Sequence, residues 1–496
     1  MGNTILGAGD PTTGYDVTNS CLFDGSNDNF NITHGGSATG ARRTMTLSCW
    51  VKLGILPSVS QTHCNFLNGY VDENNYSGFG IRDDDRLEAF GRDSGSTSFQ
   101  VQSNATLRDR SAWYHVVFAI DTTQGTDTNR IKIYLNGVQQ GIASSPSWPT
   151  QNLQLDFHSG HESYIGRQSS GGGFFDGYMA EVVFIDGQQL DASYFGETGK
   201  DGSWIPKDIS AQGFTFGNDG YYLQFKQTGT SANSSGKGAD TSGNDNHWED
   251  NNFAGTFNIT QDTPTNNFAV LTNHGYPQAS QMTLTQGNLD FDFTGDGSGS
   301  ARDLDKHVIS NIGVTTGKWY MEAKLTEDLN AAFIGVSNYS NKQNTAEIES
   351  YNYVITNAGN KYVREHTGES ESNAAHGGGS NSLNDIWQVA LDATNRNVYF
   401  GKNGSWADGS GSWDQSSPTS AVAYTADFVT TDSHGVVVFN LAGAGSSETP
   451  RWLANFGNPI HSISSGNADA NGYGNFEFAV PSGYYALCTK NLAKYG

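Results

Sequence analysis

The chain has 496 residues, with 51 acidic against 27 basic side chains for a formal charge of −24, 61 glycines and 12% aromatic residues. That length suits two packed domains; the shortage of helix formers argues against a helical bundle, and the wealth of aromatics against a disordered chain. Too few Lys/Arg clusters are present to neutralise a phosphate backbone, so no nucleic-acid partner is expected.

Residues 1–20 are polar, include Pro11 and read as an N-terminal arm. Residues 1–14 show neither the basic nor the apolar region of a secretory leader. Leu6 stands where a myristoylation signal needs Ser or Thr. No apolar run approaches the ~18 residues that cross a bilayer, so no membrane insertion is expected.

A first all-β domain is expected over 21–228. Leu47, Cys49, Val51 and Leu53 alternate with Ser48, Trp50 and Lys52, whereas Trp113 to Ile120 is apolar on both faces, as an inner sandwich strand should be. Ile131, Ile133 and Leu135 lead into Asn136-Gly137, a tight hairpin signal. Tyr178 to Ile185 forms a further strand before Asp186-Gly187. After an irregular excursion, Tyr221, Leu223 and Phe225 alternate with Tyr222, Gln224 and Lys226, which predicts that the domain extends past residue 200. The Gly/Ser/Asn-rich stretch 229–281, with Pro264 and Pro277, reads as a connector.

A second all-β domain is expected over 282–496. Its clearest strands are Lys318 to Leu325, Phe333 to Val336, Trp387 to Asp392, Asn397 to Gly401, Val436 to Phe439, Trp452 to Phe456, Phe476 to Val480 and Tyr484 to Cys488, with Asn403-Gly404 as a second hairpin signal. The four cysteines, Cys21, Cys49, Cys64 and Cys488, are scattered, so neither a disulfide framework nor a zinc knuckle is expected.

Candidate chemistry is sparse. His158, His161 and Glu162 offer two imidazoles three residues apart beside a carboxylate, a donor set for zinc, although a solvated Gly-containing turn is the better reading. Asp83-Asp84-Asp85 has oxygens for calcium or forms a charged turn. Asp290 to Gly295 opens like an EF-hand loop, but Ala301 occupies the closing Glu position, so alternating Asp/Phe is better read as a strand. No Gly-x-Ser-x-Gly elbow occurs. Gly171 to Gly173 and Gly377 to Gly379 read as flexible loop tips. Tyr351, Tyr353, Trp406 and Trp413 lie in Gly/Ser/Asp-rich loops and are the candidate ligand-binding residues, as stacking faces or protein anchors; the alternative is that these rings fold back onto their own domain.

Leu47 to Lys52, Trp113 to Val117, Ile131 to Gly137, Tyr164 to Arg167 and Gly177 to Val182 together resemble a laminin-G-like, concanavalin-A-type jelly roll over roughly 20–200. Gly317 to Glu322, Phe333 to Val336, Val389 to Asp392, Val398 to Gly404 and Asn455 to Asn458 resemble a SPRY domain. Ile185 to Leu190, Asp240 to Asn246, Asp262 to Asn267 and Pro481 to Tyr484 resemble an arrangement found in virion proteins of marine tailed bacteriophages. The resemblances imply two tandem antiparallel β-sandwiches that bind glycan or protein, with calcium an optional ion and no other cofactor, and they bring no catalytic residues. The paired acids of a laminarinase-like strand, Glu-x-Asp-x-x-Glu, are absent. The expectation is therefore a non-enzymatic virion structural protein of the tail-fibre or tail-tip adhesin type. Its expected partners are other virion proteins, copies of itself in a homo-oligomer, and a host-surface glycan or receptor. A capsid-attached decoration or head-fibre protein is the near alternative, and a glycan depolymerase the alternative of another class.

Overall fold

The computed structural model describes residues 14–34, 41–54, 63–168, 172–272, 282–293, 307–328, 332–338, 352–356, 359–364, 372–378, 382–426, 428, 436–443 and 449–496. Strand accounts for 49% and helix for 6%, an all-β fold of antiparallel sheets. Two compact units meet in sequence between Asn266 and Asn267.

In the first unit the strands are β1 (Ser20–Asp24), β2 (Asn29–Thr33), β3 (Thr44–Leu53), β4 (His63–Asp72), β5 (Asn75–Arg82), β6 (Arg86–Asp93), β7 (Ser96–Thr106), β8 (Trp113–Asp121), β9 (Ile131–Leu135), β10 (Val138–Gln139), β11 (Glu162–Ile165) and β12 (Asp176–Asp186). There follow β13 (Gly196–Thr198), β14 (Trp204–Pro206), β15 (Tyr221–Leu223), β16 (Glu249–Asn251) and β17 (Ile259–Thr260). One sheet runs β10-β9-β8-β3-β12-β1-β17, with β15 also on β12; the facing sheet runs β16-β2-β11-β4-β5-β6-β7. The period-two pattern fills the space between them. Leu47, Cys49, Val51 and Leu53 of β3 and Val116, Phe118 and Ile120 of β8 meet Phe79, Ile81, Leu87, Ala89, Phe99 and Val101 of the other sheet.

Both faces of β8 are apolar because the first sheet is covered on its outside as well. Leu190, Ala192, Phe195, Ile209, Trp204, Phe214 and Phe216 pack on Val117, Ala119, Val183, Ile185 and Tyr222. Among the described residues no comparable apolar layer lies over the second sheet, whose outward face is left for polar groups.

The expected extension past residue 200 is present: β15 pairs with β12, Tyr221, Leu223 and Phe225 enter the main core, and Tyr222 faces the outer cluster. The expected connector is different from the structure over 229–266. Here β16 pairs with β2 and β17 with β1, Trp248 is fully buried against Tyr221, and Phe253 packs on Phe23 and Phe30. Composition misled because the glycines and serines make turns while a few large side chains anchor the segment. The arm likewise ends earlier than expected, for Val17 is buried and its N–H donates to Thr265 Oγ1 at 3.1 Å.

In the second unit, Lys318–Glu327 is the centre of one sheet, flanked by Ile386–Asp392 and Arg451–Asn455. Ala332–Asn338 lies in the other between Val437–Gly443 and Asn352–Thr356. The strand expected over Phe476 to Val480 does not form. The N–H groups of Glu477 and Phe478 donate instead to the buried carboxylate of Glu322, each at 2.9 Å. The strand expected over Tyr484 to Cys488 shrinks to Tyr485–Ala486, parallel to Lys318–Glu327, and an unpredicted helix, Thr489–Tyr495, follows.

Candidate functional site

Alternation along β5, β6 and β7 sets an outward face opposite their core residues. Register places Asn65, Gly80, Glu88 and Gln102 in one row across the strands. Asn68, Gly78, Phe90 and Gln100 form the next row, and Tyr70, Tyr76 and Arg92 the one after. Gly78 matters because it carries no side chain: a Cβ there would sit 2.5 Å from the Phe90 ring. Phe90 thus lies flat over the strand, stacked on His63 at 4.2 Å between centroids and edge-on to Tyr76 at 6.1 Å. The result is a hollow of about 250 Å³ lined by His63, Tyr76, Phe90, Arg92, Thr97 and Gln100, with glycines at its edge.

Its polar groups are held in place. Glu88 is fully buried beside the hollow. Gln100 Nε2 donates to its Oε1 at 2.7 Å, Arg82 Nη1 lies 3.5 Å away, and His63 Nε2 lies 2.7 Å from its Oε2 without hydrogen-bond alignment. His63 Nδ1, both carboxamide atoms of Asn65, Asn68 Oδ1 and Gln102 Nε2 are buried without a hydrogen-bond partner. Unmade hydrogen bonds on buried groups cost roughly 1–3 kcal/mol each. Of these groups His63 lines the hollow, and Asn65, Asn68 and Gln102 lie in the same rows of the sheet.

The residues expected to bind ligand lie elsewhere. Tyr351 is outside the described residues. Tyr353 is buried against Tyr424 and Phe428, and Trp406 is 3% exposed in a cluster with Tyr320, Phe268 and Phe476. Trp413 is half-buried, edge-on to Trp387 at 5.6 Å, with Lys402 5.8 Å from its ring centroid. A Cβ at Gly377 would lie 2.3 Å from the Trp413 ring. The glycine run expected to be a loose tip therefore contributes a platform on which this tryptophan folds back.

The candidate metal residues also separate. His158 is buried, edge-on to His34 at 4.1 Å, and burial pushes its imidazole well below the usual range. His161 and Glu162 are exposed. Among the described residues no three His, Cys, Asp or Glu side chains are grouped to hold an ion. Asp83, Asp84 and Asp85 are held by Arg82, Arg86 and Arg108 respectively, which makes this a charged turn.

One serine–histidine pair does form. Ser48 Oγ lies 2.8 Å from His115 Nε2, while the indole N–H of Trp204 donates to His115 Nδ1 at 3.0 Å. With Nδ1 accepting, Nε2 keeps the proton and donates to the serine, the reverse of a general base. Burial lowers this imidazole to about 3, so it stays neutral.

The family described as the concanavalin A-like lectin/glucanases superfamily matches residues 24–191, within the first unit. No curated protein sequence matches. Mouse laminin α1 domains LG4-5 align at 9% identity, covering 98% of this chain and 89% of theirs, with a TM-score of 0.29. The SPRY domain of human HERC1 aligns at 15% identity over 35% of this chain and 91% of its own, TM-score 0.24. The CBM40 of a Ruminococcus gnavus IT-sialidase, bound to α2,3-sialyllactose, aligns at 12% over 36% and 96%, TM-score 0.24. None of these scores reaches 0.5, and the architecture rests on strand order and the family match. The first unit is thus similar to the concanavalin A-like lectin/glucanases superfamily over residues 24–191.

Proposed function

We propose that this chain is a non-enzymatic attachment protein whose first sandwich binds glycan in the hollow around Phe90. The observation that carries the reading is the hollow itself. It is walled by the rings of Tyr76, Phe90 and His63, which suit the apolar parts of a sugar ring, with the Gln100 carboxamide beside them to suit hydroxyls. Cleavage is disfavoured there because glycoside hydrolysis uses two carboxyl groups across the bond. The lining has none, and Glu88 beside it is engaged by its neighbours.

The wider setting we propose is the virion of a tailed bacteriophage, with the chain as a tail-fibre or tail-tip adhesin and a capsid decoration as the alternative site. Its support is the sequence resemblance at Ile185 to Leu190, Asp240 to Asn246, Asp262 to Asn267 and Pro481 to Tyr484. The first test is a glycan array with the parent and Phe90→Ala, each checked by a thermal melt. Binding by the parent that Phe90→Ala loses supports the glycan reading, whereas an array with no bound glycan rejects it. Release of reducing ends from a bound polysaccharide would establish a depolymerase instead. Antibody labelling of virions separates tail from capsid.

A further inference from the structure

Arg92 is exposed and lines the hollow directly across from Tyr76 in the strand register. The arginines of the neighbouring turn each hold a carboxylate: Arg82 on Asp83, Arg86 on Asp84 and Arg108 on Asp85. Arg167 lies over the Tyr164 ring at 4.4 Å. Arg92 makes no such contact among the described residues. In a chain with 51 acidic and 27 basic side chains, a guanidinium that forms no ion pair among the described residues, at the rim of an aromatic hollow, is conspicuous.

We infer that the hollow selects an acidic sugar, with Arg92 pairing its carboxylate; the inference rests on the glycan reading above and names its ligand class. A guanidinium matches a planar carboxylate through two parallel N–H donors, a geometry that a neutral hydroxymethyl group cannot reproduce. Tyr76 and the edge of the stacked Phe90–His63 pair supply the apolar wall, and Gln100 and His63 are the lining groups available to ring hydroxyls. At about 250 Å³ the hollow is smaller than the ~300–1,000 Å³ typical of drug-sized ligands. It therefore takes one ring, terminal or branching, and leaves the rest of a chain outside. The ligand is a hexuronic or related carboxylated sugar residue.

The test compares matched sugars on the full chain by titration calorimetry at low ionic strength: glucose with glucuronic acid, and galactose with galacturonic acid. One uronic acid should bind about tenfold more tightly than its neutral twin. Arg92→Gln should remove that difference while leaving the weak binding of the neutral sugar, and Arg92→Lys should restore only part of it. Equal affinities within both pairs would overturn the carboxylate assignment yet leave the hollow a glycan site. Tighter binding of a 6-sulfated sugar than of either uronic acid would also overturn it. Should none of these sugars bind while the array still shows Phe90-dependent glycan binding, the acidic assignment alone falls. An empty array removes both readings.

Discussion

Trp204 donates its indole N–H to Nδ1 of His115 at 3.0 Å, and that bond fixes the ring proton on the nitrogen facing Ser48. The cover over the outer face of the first sheet thereby sets the chemistry of a pair that sequence alone leaves open. Ser48 should consequently resist fluorophosphonate labelling under conditions that label a serine hydrolase fully. Trp204→Phe removes the indole donor and strands Nδ1 in the interior, which should lower stability by about 1–3 kcal/mol. Denaturant unfolding measures the loss; a labelled Ser48 in the parent would show that the proton sits on the other nitrogen.

Lys52 and Asp262 form a fully buried ion pair at 2.8 Å, with Trp113 Nε1 donating to the same carboxylate at 3.1 Å. Removing one partner of such a pair typically costs ~3–5 kcal/mol because the other charge is left uncompensated. Asp262→Ala should therefore destabilise the first unit by about that much, and Lys52→Met/Asp262→Leu by less than either single change. The same logic predicts that a chain ending at 228 melts well below one ending at 266, since it lacks Trp248, Phe253 and Asp262. Equal melting temperatures would mean that 229–266 is a connector after all.

Much of this fold was legible because strand burial leaves its mark: β3 and β15 overlap segments of period two, and β8 and β12 overlap apolar runs buried on both faces. The hollow was written in the same code, as Tyr76, Gly78, Gly80 and Arg82 opposite Phe79 and Ile81, and Glu88, Phe90 and Arg92 opposite Leu87 and Ala89. It went unread because a polar strand face looks alike whether it meets solvent, a covering segment or a ligand. Which face stays open is decided by Leu190, Phe195 and Phe216 covering the other sheet, a long-range choice with no local signature. Trp413 illustrates the converse. Its glycine neighbours, which suggest a loose loop, are what let the ring approach the backbone.

Burial raises the Glu181 carboxyl to about 7, while the phenols of Tyr222 and Tyr15 donate to it and partly oppose the rise. A carboxyl with a higher value folded than unfolded binds more protons in the native state, so its contribution is full at low pH and fades as pH rises from about 4.5 towards 7. His115, lowered to about 3, works in the opposite sense: its contribution is present above the ordinary histidine range and fades as pH falls from about 6.5 towards 3. The parent curve blends the two, so the informative quantity is parent minus Glu181→Gln. The parent's unfolding free energy should fall relative to the variant's between pH 4.5 and 7, by an amount on the order of 3 kcal/mol or less. A difference that stays constant across this window would show that the carboxyl titrates normally.

Trp406 and Phe90 separate core from surface in the two units. Trp406 packs with Tyr320 and Phe476 beneath the second unit's sheet, so Trp406→Ala should cost about 3–5 kcal/mol, as large-to-small core changes do. Trp413, half-buried and edge-on to Trp387, should cost less. Phe90 is itself mostly buried, yet it faces away from the core, and its neighbours are a glycine, a histidine and a tyrosine. Phe90→Ala should therefore open the hollow and abolish ligand binding at a stability cost below that of Trp406→Ala. Phe90→Tyr should keep the stacking face and retain binding. Paired melts and array signals for the four variants test the assignment. Were Trp406→Ala to melt like the parent while losing attachment, the ring would be a contact residue and the binding surface would belong to the second unit.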